Sequence, residues 1–411
     1  MSESRLQHVP FFEALAGAEE GSAEWRLTSA GLVTLRLFDA WIVEGPSVVA
    51  GDAWGLRAVR EEIAAVDAGS PGKSILTSLV DTMESARMVR IPLVAPRLIA
   101  YGRFLQLDGR FHLAADVYRT VLAHAHPAEE ADIVIASSIQ LGVCLRATAE
   151  WDEAAASYTR AACVAAMSGD MMSLLRVRIA EASMAMDRGN FPKAQQVLDE
   201  TIVDATANGL VDVRARALHS RAVVAIHRHD PEFAVRLAYE ALRDQTDPAE
   251  RDRILSDIGV AFFDLGMRSA ARDAYLILAA TAQAQYSRWV AMINLIECAA
   301  ADGREPVFEQ YRRDLTDEAL PSTLAVHYHY YVGEGYRLFG KKEQARAALN
   351  RSLSLASQHG MNEMIIRAEQ ALQQIPEGGV VIIAEAEAPT PEVEQVAEAI
   401  HEMRTLVEAG R

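Results

Sequence analysis

The chain has 411 residues, half of them apolar, and carries 40 Lys and Arg against 57 Asp and Glu, a formal charge of −17. That length exceeds one compact core, so several domains or an elongated repeat array are expected, with an ordinary soluble composition. A globally acidic surface repels phosphate backbones and anionic lipid, which argues against nucleic acid or a membrane as the main partner.

The first segment, 1–23, opens "MSESRLQHVPFFEALAG" and lacks a cationic start followed by a long apolar run, so no secretory signal is expected. Cys144, Cys163 and Cys298 are sparse and odd in number, which fits buried thiols in a reducing compartment. The expected location is the cytoplasm. Residues 24–93 read as helices: "SAEWRLTSAGLVTLRLFDAWIVE", "DAWGLRAVREEIAAV" and "KSILTSLVDTMESARMV" all place apolar residues at i, i+3 and i+4. They are expected to form a helical cap or degenerate repeats. Arg36, Asp39 and Glu44 make the most apolar of these too costly to span a bilayer. A helix-turn-helix DNA reader would need a basic recognition helix, which this segment lacks.

"DAGSPGKS" (67–74) ends like a phosphate-binding loop. Such a loop needs Gly where Asp67 stands, and a buried strand before it, where the spacing predicts a helix. The local alternative is a helix–helix connection, with Ser70 as N-cap and Pro71 at the first helical position.

From residue 94 the sequence repeats. "YGRFLQLDGRFHLAADVYRTV" (101–121), "LGVCLRATAEWDEAAASYTRA" (141–161), "EASMAMDRGNFPKAQQVLDET" (181–201), "RAVVAIHRHDPEFAVRLAYEA" (221–241), "IGVAFFDLGMRSAARDAYLIL" (258–278) and "VGEGYRLFGKKEQARAALNRS" (332–352) share a small residue, a polar turn and an alanine. The anchor alanines are Ala114, Ala154, Ala194, Ala234, Ala271 and Ala345, and the last gap is twice its predecessor. The missing copy falls at "LIECAAADGREPVFEQYRRDL" (295–315), with Phe308 where an alanine belongs, so looser packing or a bend is expected there.

This pattern resembles the tetratricopeptide repeat family over residues 94–358, in units of about 37–40 residues. Gly102, Gly142, Ala182, Ala222, Gly259 and Gly333 fill its small eighth position, the anchor alanines its twentieth, and Tyr118, Tyr158, Leu198 and Tyr275 its bulky twenty-fourth. The resemblance implies an all-α, right-handed superhelical solenoid of stacked antiparallel helix pairs. Small residues at the eighth and twentieth positions let two backbones approach, and each pair must stack on the next to bury its apolar face.

The resemblance further implies a concave surface lined by the first helix of each pair. Mapping its positions gives Arg103, Arg146, Arg176, Arg216, His219, Phe263, Tyr330 and Arg337 as partner-contacting candidates, with Gln106, Asp264 and Glu334 among their neighbours. Recurrent arginines in an acidic chain suit a protein or peptide partner with carboxylate groups. The alternative is that they pair with acids of neighbouring units.

Residues 359–375 continue as a solenoid helix, 376–390 reads as an acidic linker with an extended patch at Val380–Ile383, and 391–411 as an amphipathic helix. Thr390 is its N-cap, Gly410 its end, and Val393, Val396, Ile400, Met403 and Val407 form its stripe. That helix could cap its own solenoid, bind a partner or pair two copies into a homo-oligomer. His124/His126, His227/His229 and His327/His329 point to opposite sides of a helix and predict no metal site. No nucleophile–base constellation or cofactor motif stands out. The expectation is a non-catalytic scaffold that binds protein or peptide, the alternatives being a ligand-responsive sensor or a self-assembling structural protein.

Overall fold

The computed structural model describes residues 7–46, 54–316, 320–375 and 388–410. Among them all regular structure is α-helical, in two compact units divided after Met184. The expected extended patch at Val380–Ile383 lies outside the described residues.

The first unit contains α1 (Val9–Gly17), α2 (Ala23–Glu44), α3 (Trp54–Ala65), α4 (Pro71–Ser85), α5 (Ile91–Leu107), α6 (Phe111–His124), α7 (Ala131–Ala147), α8 (Trp151–Ser168) and most of α9 (Met171–Asp187). The second contains α10 (Phe191–Ala207), α11 (Val211–His227), α12 (Pro231–Asp244), α13 (Pro248–Asp264), α14 (Arg268–Thr281), α15 (Gln285–Ala301), α16 (Glu305–Thr316), α17 (Ser322–Leu338), α18 (Lys342–Gln358), α19 (Asn362–Gln374) and α20 (Pro391–Ala409). Within each unit successive helices pair and the pairs stack: α5 with α6, α7 with α8, α11 with α12, α13 with α14, and α17 with α18. This is a helical solenoid of the expected class.

The turn inside a pair is set locally. The chain passes through a left-handed residue, and the next amide bonds back to the carbonyl five residues earlier: Arg110 to Leu105 at 2.8 Å, Met267 to Phe262 at 2.9 Å, Lys341 to Tyr336 at 2.8 Å. This closes the helix end and starts the next helix at once. Gly109, Gly266 and Gly340 supply the positive φ, whereas Ala149 (φ 61°) and His229 (φ 57°) adopt it with a side chain, at a cost of about 1 kcal/mol each.

What holds a pair together is a ring over a glycine. A methyl added at Gly102 would come 2.6 Å from Tyr118 Cζ, and at Gly333 2.6 Å from Leu349 Cγ. Gly142 meets Tyr158, and Gly259 meets Tyr275, in the same way. The bulky residue stands sixteen positions after the small one every time. The eighth position is therefore small because the twenty-fourth side chain lies on it, a sharper reason than the expected approach to the twentieth-position alanine, although Ala114, Ala154 and Ala271 are themselves fully buried. In the remaining copies both members change: Ala182 precedes Leu198, and Ala222 precedes Ala238. The cap uses the same device, with the Tyr101 ring on Gly31 of α2.

The divergent copy is not loosened at Phe308. Its ring is fully buried, lies on Gly335 of α17, and meets Tyr336 and Phe339 edge-on at 5.4 and 5.3 Å. The glycine that makes room sits in the next pair, which is why the copy looked defective when read alone. The irregularity appears instead as a direct packing of α15 on α17.

Residues 70–85 settle the phosphate-loop question. Ser70 is the N-cap of α4 without a side-chain bond, and Pro71 begins the helix. Lys73 Nζ donates to the Ala64 and Val66 carbonyls at 2.8 and 2.6 Å, closing the C-terminal end of α3. The lysine is spent on the connection.

The N-terminal helix is pinned by a buried ion cluster. His8, at the start of α1, lies between Asp116 of α6 (2.6 Å) and Asp39 of α2 (2.9 Å). Burial works to lower its pKa, but the hydrogen bonds and charges of the two aspartates outweigh it and raise it to about 9 from 6.5. The protonated ring therefore stabilises the fold fully below pH 6.5, and that contribution is lost between pH 6.5 and about 9. A rise of that size corresponds to roughly 3 kcal/mol. The first unit should lose stability across this window in chemical denaturation, and His8→Asn should flatten the profile; a wild-type profile that rises or stays level contradicts the cluster.

Candidate binding faces and the docked tail

In the first unit the first-helix face is built by α5, α7 and the start of α9. Arg103 and Arg176 are exposed on it with no hydrogen bond or ion pair among the described residues. Arg146 is half-buried. Gln106, mapped to the same face, has a structural task. It accepts from the Tyr118 hydroxyl (2.8 Å), and its amide donates to Cys144 Sγ (3.2 Å) and the Gln140 carbonyl (3.4 Å), tying α5 to α6 and α7. Burial pushes the Cys144 thiol up to about 12, so it is an inert core group.

In the second unit the predicted cations are occupied. Arg216 reaches Glu250 (3.2 Å) and Asp247 (3.5 Å), and His219 lies 2.6 Å from Asp257, both links running from α11 to the next pair. Arg337 grips Glu334 one turn earlier with two bonds, at 2.9 and 2.7 Å. Phe263 is half-buried beside the α12–α14 core. Tyr330 lies under the Arg367 guanidinium, 4.7 Å from ring centre to Cζ, with Tyr331 at 6.0 Å. Arg216 thus pairs with acids of the next pair, as the alternative has it, whereas Arg337 pairs within its own helix.

Two acids there are unanswered. Asp264 at the end of α13 and Glu297 on α15 have no hydrogen bond or ion pair among the described residues. Burial raises the Glu297 carboxyl to about 7; Arg367 opposes the rise, while Asp264 and Glu334 add to it. Burial also raises Asp264. Glu297 and Arg367 were absent from the sequence-derived set. Glu297 directly follows Ile296, 37 residues after Gly259 and 37 before Gly333, so the repeat step locates it once the missing alanine is ignored. Arg367 lies beyond the last copy, where the pattern gives no register.

The histidine pairs do other work. His124 stacks edge-on against Phe38, His227 lies over Phe191, and burial lowers both His327 and His329. No metal-binding group of His, Cys, Asp and Glu occurs among the described residues.

The tail helix α20 docks in cis on α12 and α14, the second helices of two adjacent pairs. Thr390 stands at its N-cap position without a side-chain bond, and Gly410 follows its end. Val393, Val396 and Ile400 are buried, with Met403 and Val407 packed at the margin. The Thr390 amide donates to Glu232 at 3.1 Å. Near the far end the buried Asp273 accepts from His401 (2.7 Å) and pairs with Arg404 (3.1 Å). Among the described residues no helix is long and apolar enough to cross a membrane.

No family model matches the chain, and no curated protein does. Solved structures do. The Rap protein complexed with Competence and Sporulation Factor is 11% identical, with 94% of this chain and 100% of that one covered and a TM-score of 0.49. The human IFIT1 dimer with PPP-AAAA is 11% identical, covering 91% and 90%, with a TM-score of 0.47. The C-terminal part of a TPR repeat-containing protein from Cytophaga hutchinsonii is 15% identical, covering 62% and 95%, with a TM-score of 0.34. These are likenesses of fold. The chain is a tetratricopeptide-like helical-repeat protein, as its own recurring helix pairs show.

Replacing Asp273 with Ala removes both polar ties at one end of α20. Hydrogen exchange should then speed up in 393–407 by roughly tenfold or more while α13 and α14 keep their protection. Unchanged exchange in the tail would mean that the apolar stripe alone holds it.

Proposed function

We propose that this chain is a non-catalytic scaffold that binds protein or peptide segments along its first-helix faces. The observation that carries this reading is the pair of exposed arginines, Arg103 and Arg176, that have no hydrogen bond or ion pair among the described residues of the first unit's face. Exposed guanidinium groups on the first and third of the unit's first helices, α5 and α9, suit carboxylates of an extended ligand, which they grip with two parallel bonds. Arg146 belongs to the same face, whereas Arg216, His219 and Arg337 are committed to acids of their own unit. The carboxylate preference therefore attaches to the first unit.

The tail enters this proposal as a cap docked in cis rather than as a link between two copies, because α12 and α14 already cover its stripe. The proposed compartment is the cytoplasm, on three unbridged cysteines, two of them buried.

Affinity capture with immobilised acidic peptides tests the reading. The full chain should be retained, and Arg103→Glu with Arg176→Glu should lower retention about tenfold or more, while the paired Arg216→Gln should change it little. Equal retention of the double variant would overturn the role of this face.

A further inference from the structure

We propose that the first-helix face of the second unit holds a separate subsite for a cationic side chain of a bound peptide, an arginine above all, seated on Glu297 between Asp264 and Glu334 and bordered by Tyr331. This rests on the scaffold reading and gives that face a ligand chemistry opposite to the first unit's.

Three observations carry it. The first is placement. Glu297 and Glu334 occupy the same register position on α15 and α17, 37 residues apart, and Asp264 ends α13, so the acids come from three successive first helices. Protein atoms enclose most of Glu297, yet part of its side chain stays open to the face.

The second is charge. Glu334 is answered by Arg337, and Arg367 lies over the Tyr330 and Tyr331 rings with Glu363 3.8 Å away. Among the described residues neither Glu297 nor Asp264 has a hydrogen bond or ion pair; Arg367 and His229 act on them only through their charge. The titratable groups facing Glu297 are Asp264 from α13, Tyr275 from α14, Cys298 beside it on α15, Tyr330, Tyr331 and Glu334 from α17, and Arg367 from α19. Arg367 is the one cation among them, and it is shared. Enclosing a carboxylate without a partner is unfavourable, and its protonation near neutral pH is the sign of that penalty. An incoming cation would remove it.

The third is that the chain displays the matching chemistry. Arg367 lies over Tyr330 at 4.7 Å and Tyr331 at 6.0 Å, showing that the face accommodates a planar guanidinium over aromatic rings. A ligand arginine on Glu297 would stand beside it on the side where the acids are unpaired.

The proposal predicts a linked proton. A cation favours the ionised carboxylate, so binding should release a proton and tighten as pH rises through about 7.

The test uses the full chain and pools of hexapeptides with randomised flanks around one fixed central residue: Arg, Lys, citrulline or Glu. The Arg pool should be recovered about tenfold over the citrulline pool. A peptide from it should bind more tightly at pH 8 than at pH 6 and lose about tenfold in affinity against Glu297→Gln. That variant should melt no lower than wild type without ligand, because it removes an unanswered charge; a merely structural glutamate would lower the melting temperature. Asp264→Asn, at the exposed rim, should weaken the same peptide less. Equal recovery of Arg and citrulline pools, or unchanged binding to both variants, overturns the subsite. Recovery of the Glu pool alone overturns it and leaves the scaffold reading standing, and recovery of no pool overturns both.

Discussion

A tyrosine ring laid on a glycine of the partner helix sets the distance within a pair, and the rest of the structure follows from that distance. Where the ring is present the opposite position has no side chain, as at Gly102 with Tyr118, Gly142 with Tyr158 and Gly259 with Tyr275. Where a smaller residue replaces the ring, the opposite position is Ala182 with Leu198 and Ala222 with Ala238, but it stays Gly333 with Leu349. The Gly–Tyr and Ala–Leu combinations fill about the same volume, as a close-packed interior demands. Phe308 on Gly335 applies the same rule between neighbouring pairs.

Fixed pair geometry determines what each face can carry. First helices stand side by side within a unit, so side chains within about one turn of the same register on successive helices become neighbours. His219 thus meets Asp257, and Arg216 meets Glu250. The same adjacency sets Glu297 among Asp264, Glu334 and Arg367 without an ion pair of its own. Second helices offer an apolar surface on the other side, and α20 covers it across α12 and α14 with a polar tie at each end.

The fold was legible because its signals are local or periodic. The eighth, twentieth and twenty-fourth positions, the glycine turns, and the Thr390–Pro391 start of the tail are all read within one copy or by counting. The binding faces were legible in position but not in state. Whether an arginine is free or paired depends on which acid the next helix presents: Arg103 and Arg216 look alike in sequence, yet only Arg216 has acids within reach. Glu297 was hidden because its copy lacks the anchor alanine, and the glycine that compensates for Phe308 lies in the following pair. His8 gave no signal at all, since Asp39 and Asp116 reach it from 31 and 108 residues away.

The most direct test of the ring-on-glycine rule is a double-mutant cycle at Gly142 and Tyr158, read by chemical denaturation. Gly142→Ala should destabilise by about 1–3 kcal/mol through overpacking, and Tyr158→Leu by about 2–4 kcal/mol through the cavity it leaves. The double variant, which recreates the Ala182 and Leu198 combination, should be less destabilised than the sum by about 1 kcal/mol or more. Additivity within about 0.5 kcal/mol would show that the two positions do not share one space, and would contradict the account at its base.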